Sequence, residues 1–214
     1  YQWNMLADHY NISGILDRGI TGSRSVIIGI LDTGIAFEDF TIPSWESDKV
    51  YSSEGQYHQY SDFADINFTN GYDFVSDDLH ANDMNGHGTN CCAIIASGID
   101  NGIDMSGIVS QASIMPLRVL DENGEGNASD IVSAVEHAVN YGCNVLNLSL
   151  AGQSTDSTGW HPLHVAIIDA VSNGITVVCA TGNSGASYIS YPAKFEEAIA
   201  VGGVDYHFDR APYS

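Results

Sequence analysis

IMPLRVLDENGEGNASDIVSAVEHAVNYGCNVLNLSLAGQSTDSTGWHPLHVAIIDAVSNGITVVCA, running from Ile114 to Ala180, is the stretch that decides the fold. It opens on an apolar run at 114–119, closes on another at 175–180 and holds a third at 145–150. These runs are nearly continuous rather than alternating, as expected of parallel strands buried on both faces. Helical patterns separate them. Residues 129–141 place Ile131, Val132, Val135, Ala138 and Val139 on one face and stop at Gly142. Residues 162–173 carry Leu163, Ala166, Ile167, Ala170 and Val171, with Pro162 suited to the first turn and Gly174 to the stop. Strand, helix, strand, helix, strand predicts a doubly wound α/β architecture: a mostly parallel sheet flanked by helices in three layers. Further strand-like runs at 26–31 and 198–201 extend the same sheet. Between residues 36 and 86 the pattern weakens into loops around a short strand at 72–75, and no repeat or domain boundary appears. One domain over residues 1–214 is the expectation.

Composition narrows the function. Six Lys and Arg face 27 Asp and Glu, a formal charge of −21. Nucleic-acid binding requires the opposite balance and is excluded. The acidic excess suits a self-repelling, soluble surface, and some of the carboxylates suit calcium. No apolar run approaches the roughly 20 residues of a membrane span. The chain opens on YQWNML with no secretory signal, so a processed form or a fragment is expected. The four cysteines, Cys91, Cys92, Cys143 and Cys179, lack zinc-site spacing and are expected as buried free thiols.

Three residues carry the chemistry. Asp32 ends an apolar run in VIIGILDTG, His87 lies in NGHGT ahead of an apolar helical stretch at 91–96, and Asn183 lies in VVCATGNSG. Ligands bind beyond the carboxyl ends of strands in open parallel sheets, and all three residues project to that edge. At a helix start the dipole disfavours an imidazolium and keeps the ring available as a base. Singly, each residue has a structural explanation; together they point to one site.

In these motifs the chain resembles the subtilisin-like serine proteases, the subtilases. DTG at Asp32, NGHGT at His87, NLSLAG at 147–152, ATGNSG at 180–185 and YPAKFEEAIAVGGVD at 191–205 follow in the family's order. The resemblance implies a serine endopeptidase in which His87 is the general base, Asp32 fixes its tautomer and Asn183 donates to the oxyanion. It implies one substrate-binding edge at Ser149, Leu150, Ala151 and Gly152 and another at Glu125, Gly126 and Asn127, with the polypeptide added as a β-strand. Ser149–Gly152 and Ala180, Thr181 and Gly182 would wall the first specificity pocket, with Ser190 near its base. Nothing acidic lies there, so a large apolar or aromatic side chain is expected. A secreted monomer with an inhibitory propeptide is implied as well.

Calcium transfers by the same resemblance. Gln2, Asp39 and Asn101 would give side-chain oxygens, and Ile99, Ile103 and Met105 carbonyls. Asp73, Asp78 and Asn82 form a weaker second candidate. Hard oxygen ligands of this kind suit Ca²⁺.

Departures from the family pattern also bear on function. Asn90 stands where a second histidine is common, and Cys92-Ala93 replaces a small Ala-Gly pair in a tight helix–sheet contact. Cys91 is placed close under the site, which predicts sensitivity to mercurials; a vicinal Cys91–Cys92 disulfide on a helix would be strained. No GTS occurs, and no GxSxG. The nucleophilic serine is therefore expected beyond Ser214, with the domain incomplete at its C-terminal side, apolar surface left uncovered and no hydrolysis by these residues alone. A non-catalytic calcium-binding module or pseudoprotease is the alternative.

Overall fold

The computed structural model describes residues 12–41, 56–152 and 158–214. In chain order the elements are α1 (Ile12–Leu16), β1 (Ile27–Asp32), β2 (Phe40–Thr41), β3 (Gln56–Tyr57), β4 (Asn67–Phe68), β5 (Tyr72–Asp73), α2 (His87–Ala96), β6 (Ser113–Arg118), α3 (Ala128–Asn140), β7 (Val145–Leu148), α4 (His161–Ser172), β8 (Thr176–Ala180) and β9 (Ile199–Val201). Seven strands form one sheet in the order β4-β6-β1-β7-β8-β9, with β5 also on β6, and every ladder in it is parallel. β2 and β3 pair antiparallel apart from it.

Two apolar layers enclose the sheet. Leu31, Met115, Leu117, Leu146 and Leu148 pack with Ile131, Val135 and Ala138 of α3 and Leu163, Ile167 and Ala170 of α4. Ile28, Ile30 and Ile114 face the other way, against Cys92, Ala93 and Ala96 of α2 and against Phe63. Strand alternation divides β1 between the two layers, so both of its faces are dry and its sequence reads as an unbroken apolar run. Ile199 and Val201 of β9 stay exposed, at 53% and 49%. Burying a Leu or Ile side chain is worth about 1.5–3 kcal/mol, so these layers are what hold Asp32, at the end of β1, in place.

The predicted βαβαβ unit is present with ends shifted by one or two residues. The strand expected at 72–75 is shorter. It stops at Asp73 because the Asp73 carboxylate accepts the N–H groups of Val75 and Ser76 at 2.8 and 2.9 Å and folds the chain into a turn. All strands of the main sheet run the same way, so the ends of β1, β7 and β8 lie along one rim, in that order.

Candidate active site

β1 delivers Asp32 to this rim fully buried, and α2 begins at His87 directly across from it. His87 Nδ1 lies 2.6 Å from Asp32 Oδ1, which also accepts the Thr33 N–H at 2.7 Å. Beside a carboxylate, Nδ1 carries the ring proton and donates it, so Nε2 is the free base. The His87 side chain is 48% exposed, open to a substrate on that nitrogen. Burial raises the Asp32 carboxyl above its ordinary value, opposed first by the His87 hydrogen bond and then by the Thr33 N–H.

The glycines of the two motifs explain how closely these segments meet. A Cβ on Gly88 would stand 2.1 Å from the Gly34 carbonyl oxygen and 3.0 Å from Asp32 Cβ. Gly34 has φ +104°, and a Cβ there would stand 2.3 Å from the Asn82 carbonyl oxygen. DTG and HGT are thus two halves of one backbone contact, and no larger residue lets α2 approach β1 this closely.

The other expected site residues occupy the same rim. Ser149 follows β7, with its Oγ accepting the Asn147 amide at 2.9 Å. Asn183 is exposed in the loop after β8. Glu125, Gly126 and Asn127 form an exposed edge ahead of α3. That edge is tied to Asp121, whose Oδ1 accepts the N–H groups of Asn123 and Glu125, each at 2.9 Å. These bonds, that from Glu125 foremost, hold the Asp121 carboxyl below its ordinary value. The walls expected around the first pocket are laced together: Gly152 N–H donates to the Tyr191 carbonyl at 2.9 Å and Ser190 N–H to the Thr181 carbonyl at 3.0 Å. Ser190 Oγ lies against Gly182, as expected of a residue near the base. Sequence reasoning missed Trp160, whose ring lies against Gly152 and stacks on Tyr191 with centroids 5.9 Å apart. Its apolar bulk just before α4 was the available signal.

All four cysteines are free. Cys91 Sγ lies with the ligand atoms of Asp32 and His87 within 4.8 Å of one another, so it is under the site as expected. Burial, then the charge of Asp32, pushes the Cys91 thiol up to about 11. Desolvation raises Cys92 further and pushes Cys179 up to about 12.

The metal residues require correction. Gln2 lies outside the described residues. Asp39 is not the partner of Asn101: its side chain is 80% exposed, accepts the Gln59 N–H at 3.0 Å and faces His58. The carboxylate that meets Asn101 is Asp62, 2.5 Å from the Asn101 Nδ2. Asp62 is 3% exposed, and its Oδ2 is buried with no hydrogen-bond partner among the described residues. It lines a cavity of about 360 Å³ with Asp65, Ile99, Asn101 and Gln111, whereas Ile103 and Met105 do not line it. Ile103 instead donates its N–H to Asn101 Oδ1 at 2.9 Å, and Met105 packs against the α2-side core. The weaker candidate also fails as drawn. Asp73 spends one oxygen on the turn and the other on Arg118 Nη1 at 2.7 Å, both side chains being 2% exposed. Asp78 accepts the His80 N–H, and Asn82 donates to Glu38. A guanidinium already occupies the position a cation would need.

Comparison with known proteins agrees with this geometry. The profile of the subtilase family matches residues 23–214. Subtilisin BL from Lederbergia lenta is 37% identical over 198 residues, covering 92% of this chain and 62% of that protein. Subtilisin DY from Bacillus licheniformis is 36% identical over 201 residues, with the same two coverages. The crystal structure of a cold adapted subtilisin-like serine proteinase superimposes with a TM-score of 0.68 at 25% identity, over 88% of this chain and 58% of that one. The chain thus spans less than two thirds of the length of these relatives.

Proposed function

This chain belongs to the subtilase family, and from that premise we propose that it supplies the acid, base and substrate-binding edges of a serine endopeptidase acting on extended polypeptides. The observation that carries the proposal is the His87 Nδ1 to Asp32 Oδ1 bond of 2.6 Å in a half-exposed His87, which leaves Nε2 as the nitrogen the carboxylate does not hold. In this reading Nε2 takes the proton of a serine contributed from beyond Ser214 as its oxygen attacks the scissile carbonyl. The imidazolium so formed sits against the Asp32 carboxylate, and Nε2 then returns the proton to the leaving amine. Asn183 donates to the developing oxyanion. Ser149–Gly152 and 125–127 pair with the substrate backbone, so affinity comes from main-chain hydrogen bonds. Nothing acidic lies in 149–152 or 180–182, which favours a large apolar or aromatic residue in the first pocket.

The calcium proposal moves to Asp62 and Asn101, with Ile99 beside them. A buried carboxylate oxygen without a donor among the described residues, lining a cavity with Asp65, Asn101 and Gln111, fits Ca²⁺, and the ion would brace the loop after α2. Secretion behind an inhibitory propeptide and a monomeric state complete the reading, which the −21 charge favours through mutual repulsion.

The test is hydrolysis of extended fluorogenic peptides by the full-length protein and its His87→Ala variant. The expected loss is roughly 10⁶-fold in kcat, the size known for the subtilisin triad rather than one worked from this structure. Hydrolysis that survives His87→Ala, or an absence of hydrolysis in a folded full-length protein, would refute the reading.

A further inference from the structure

Four residues ahead of His87, Asp83 accepts five hydrogen bonds on one carboxylate. Oδ1 takes the N–H groups of Asn85 and Gly86 and the hydroxyl of Thr33, each at 2.9 Å. Oδ2 takes the N–H of Thr89 at 2.9 Å and its hydroxyl at 2.6 Å. Three of these donors are backbone groups at the start of α2, which an ionised acceptor stabilises strongly. The other two are hydroxyls that reach further. Thr33 Oγ1 accepts the Gly88 N–H at 3.0 Å, and Thr89 Oγ1 accepts the Ala36 N–H at 3.0 Å. Thr33 itself donates its N–H to Asp32 Oδ1.

These bonds close a ring. From Asp32 it passes to Thr33, through the Asp83 carboxylate to the first turn of α2, and from His87 back to Asp32. We propose that Asp83 is a positioning residue that fixes the distance and angle between Asp32 and His87 by tying the end of β1 to the start of α2. A cap alone would need only the N–H contacts. The Thr33 hydroxyl, which also accepts the first-turn Gly88 N–H, extends the tie beyond a cap because it engages the residue next to Asp32. The Gly34–Gly88 contact brings the two backbones together, and Asp83 holds them in register along their common edge. A base misplaced by about 1 Å loses on the order of 10²-fold in rate, so a tie of this kind governs turnover rather than substrate affinity.

The catalytic consequence rests on the peptidase reading, while the geometric claim does not, and the experiment separates them. In the full-length protein, Asp83→Asn keeps the shape but faces an amide nitrogen toward one set of donors. Thr33→Val keeps the bonds from Asn85, Gly86 and Thr89 to Asp83 and removes the Thr33 hydroxyl from both Asp83 Oδ1 and the Gly88 N–H. Two quantities are read: the far-downfield proton resonance of His87 Nδ1, and kcat and KM on an extended peptide. The proposal expects the Asp83→Asn resonance to shift upfield or vanish, with kcat reduced about 100-fold and KM within threefold. It expects a smaller loss of the same kind, about tenfold in kcat, in Thr33→Val. A folded Asp83→Asn protein with the wild-type resonance and kcat within twofold overturns it. If Asp83→Asn does not fold, an unchanged resonance in Thr33→Val overturns it equally. A wild-type protein without hydrolysis refutes the peptidase reading and leaves the resonances to decide the clamp.

Discussion

Replacing Asp73 by Asn should cost more stability than any surface substitution on this chain, and the structure says why. Asp73 and Arg118 meet at 2.7 Å with each side chain 2% exposed. The asparagine keeps an oxygen for the N–H groups of Val75 and Ser76, so the turn survives. What disappears is the counter-charge. The guanidinium is left with the Ser76 hydroxyl at 3.2 Å and the Met84 sulfur at 3.8 Å, and its Nε has no partner among the described residues. Breaking a buried pair from one side typically costs about 3–5 kcal/mol. At about 2.1 cal/mol/K per residue, a chain of this length unfolds with an entropy near 0.45 kcal/mol/K, so Tm should fall by about 7–11 °C. The assay is thermal unfolding followed by circular dichroism, with urea midpoints as a second measure.

The double variant Asp73→Asn/Arg118→Met removes the stranded charge and should regain most of the loss, to within about 1.5 kcal/mol of the parent. Added salt should not change the single variant's deficit, because a buried pair is poorly screened. Nor should calcium, since the pair fills the place a cation would take. A loss below about 1 kcal/mol in Asp73→Asn, or a double variant no better than the single, would show that solvent reaches the guanidinium and that the burial argument is wrong. The consequence reaches the site. Arg118 pairs in register with Asp32, and the next residue, Val119, donates its N–H to the Asp32 carbonyl at 2.9 Å.

Four further outcomes follow from named contacts. Asp62→Ala should lower Tm and abolish its dependence on EDTA, while Asp39→Ala should leave both unchanged; the reverse pattern would return the calcium to Asp39. Asn183→Leu should reduce kcat by about 10²–10³ with little change in KM, the size known for a subtilisin oxyanion donor, measured on an extended peptide. Cys91 should be alkylated before Cys92, Cys143 and Cys179, at a rate climbing with pH toward its value of about 11, with parallel loss of hydrolysis on mercurial treatment; mass spectrometry gives the order. The Asp121 carboxyl is depressed in the fold, so it stabilises its loop above the ordinary value of about 3.9 and that contribution is lost as pH falls through the lower folded value. Amide exchange at residues 123–127 should therefore quicken below about pH 4 in the parent, and Asp121→Asn should remove the dependence.

The sheet was legible because burial on both faces writes itself into the sequence. Residues such as Ile28, Ile30 and Leu31 leave no polar position in β1 before Asp32, and Gly142 and Gly174 end α3 and α4 where the patterns stop. Asp32 and His87 were legible because their motifs carry glycines that only a close backbone contact requires, at Gly34 and Gly88. What stayed hidden depends on side chains that meet across long stretches of sequence. Arg118 finds Asp73 from 45 positions away and Asn101 finds Asp62 from 39, and neither pairing leaves a periodic or motif signal. Asp39 was implied by the resemblance alone, and a resemblance in motifs cannot tell which carboxylate turns inward. Asp83 was overlooked for a similar reason: it reads as one more acid in a polar run until its five donors are counted.

The fate of the buried acids supplies the strongest argument for placing the cation. Most acidic side chains among the described residues have water to solvate them, but Asp32, Asp62 and Asp73 are 0%, 3% and 1% exposed. A carboxylate taken out of water has to meet a positive charge or enough donors, or it takes up a proton. Asp73 has a guanidinium and two N–H groups. Asp32 has an N–H and an imidazole, and that imidazole becomes cationic at the step in which the proposed reaction needs the charge. Among the described residues, Asp62 has one neutral amide on Oδ1 and nothing on Oδ2, beside a cavity that it shares with Asp65 and Asn101. Of the three it alone has no positively charged or protonatable partner among the described residues. A divalent cation in that cavity would balance it in the way Arg118 balances Asp73. The carboxylate that the resemblance passed over is therefore the one at which the proposed calcium would be balanced.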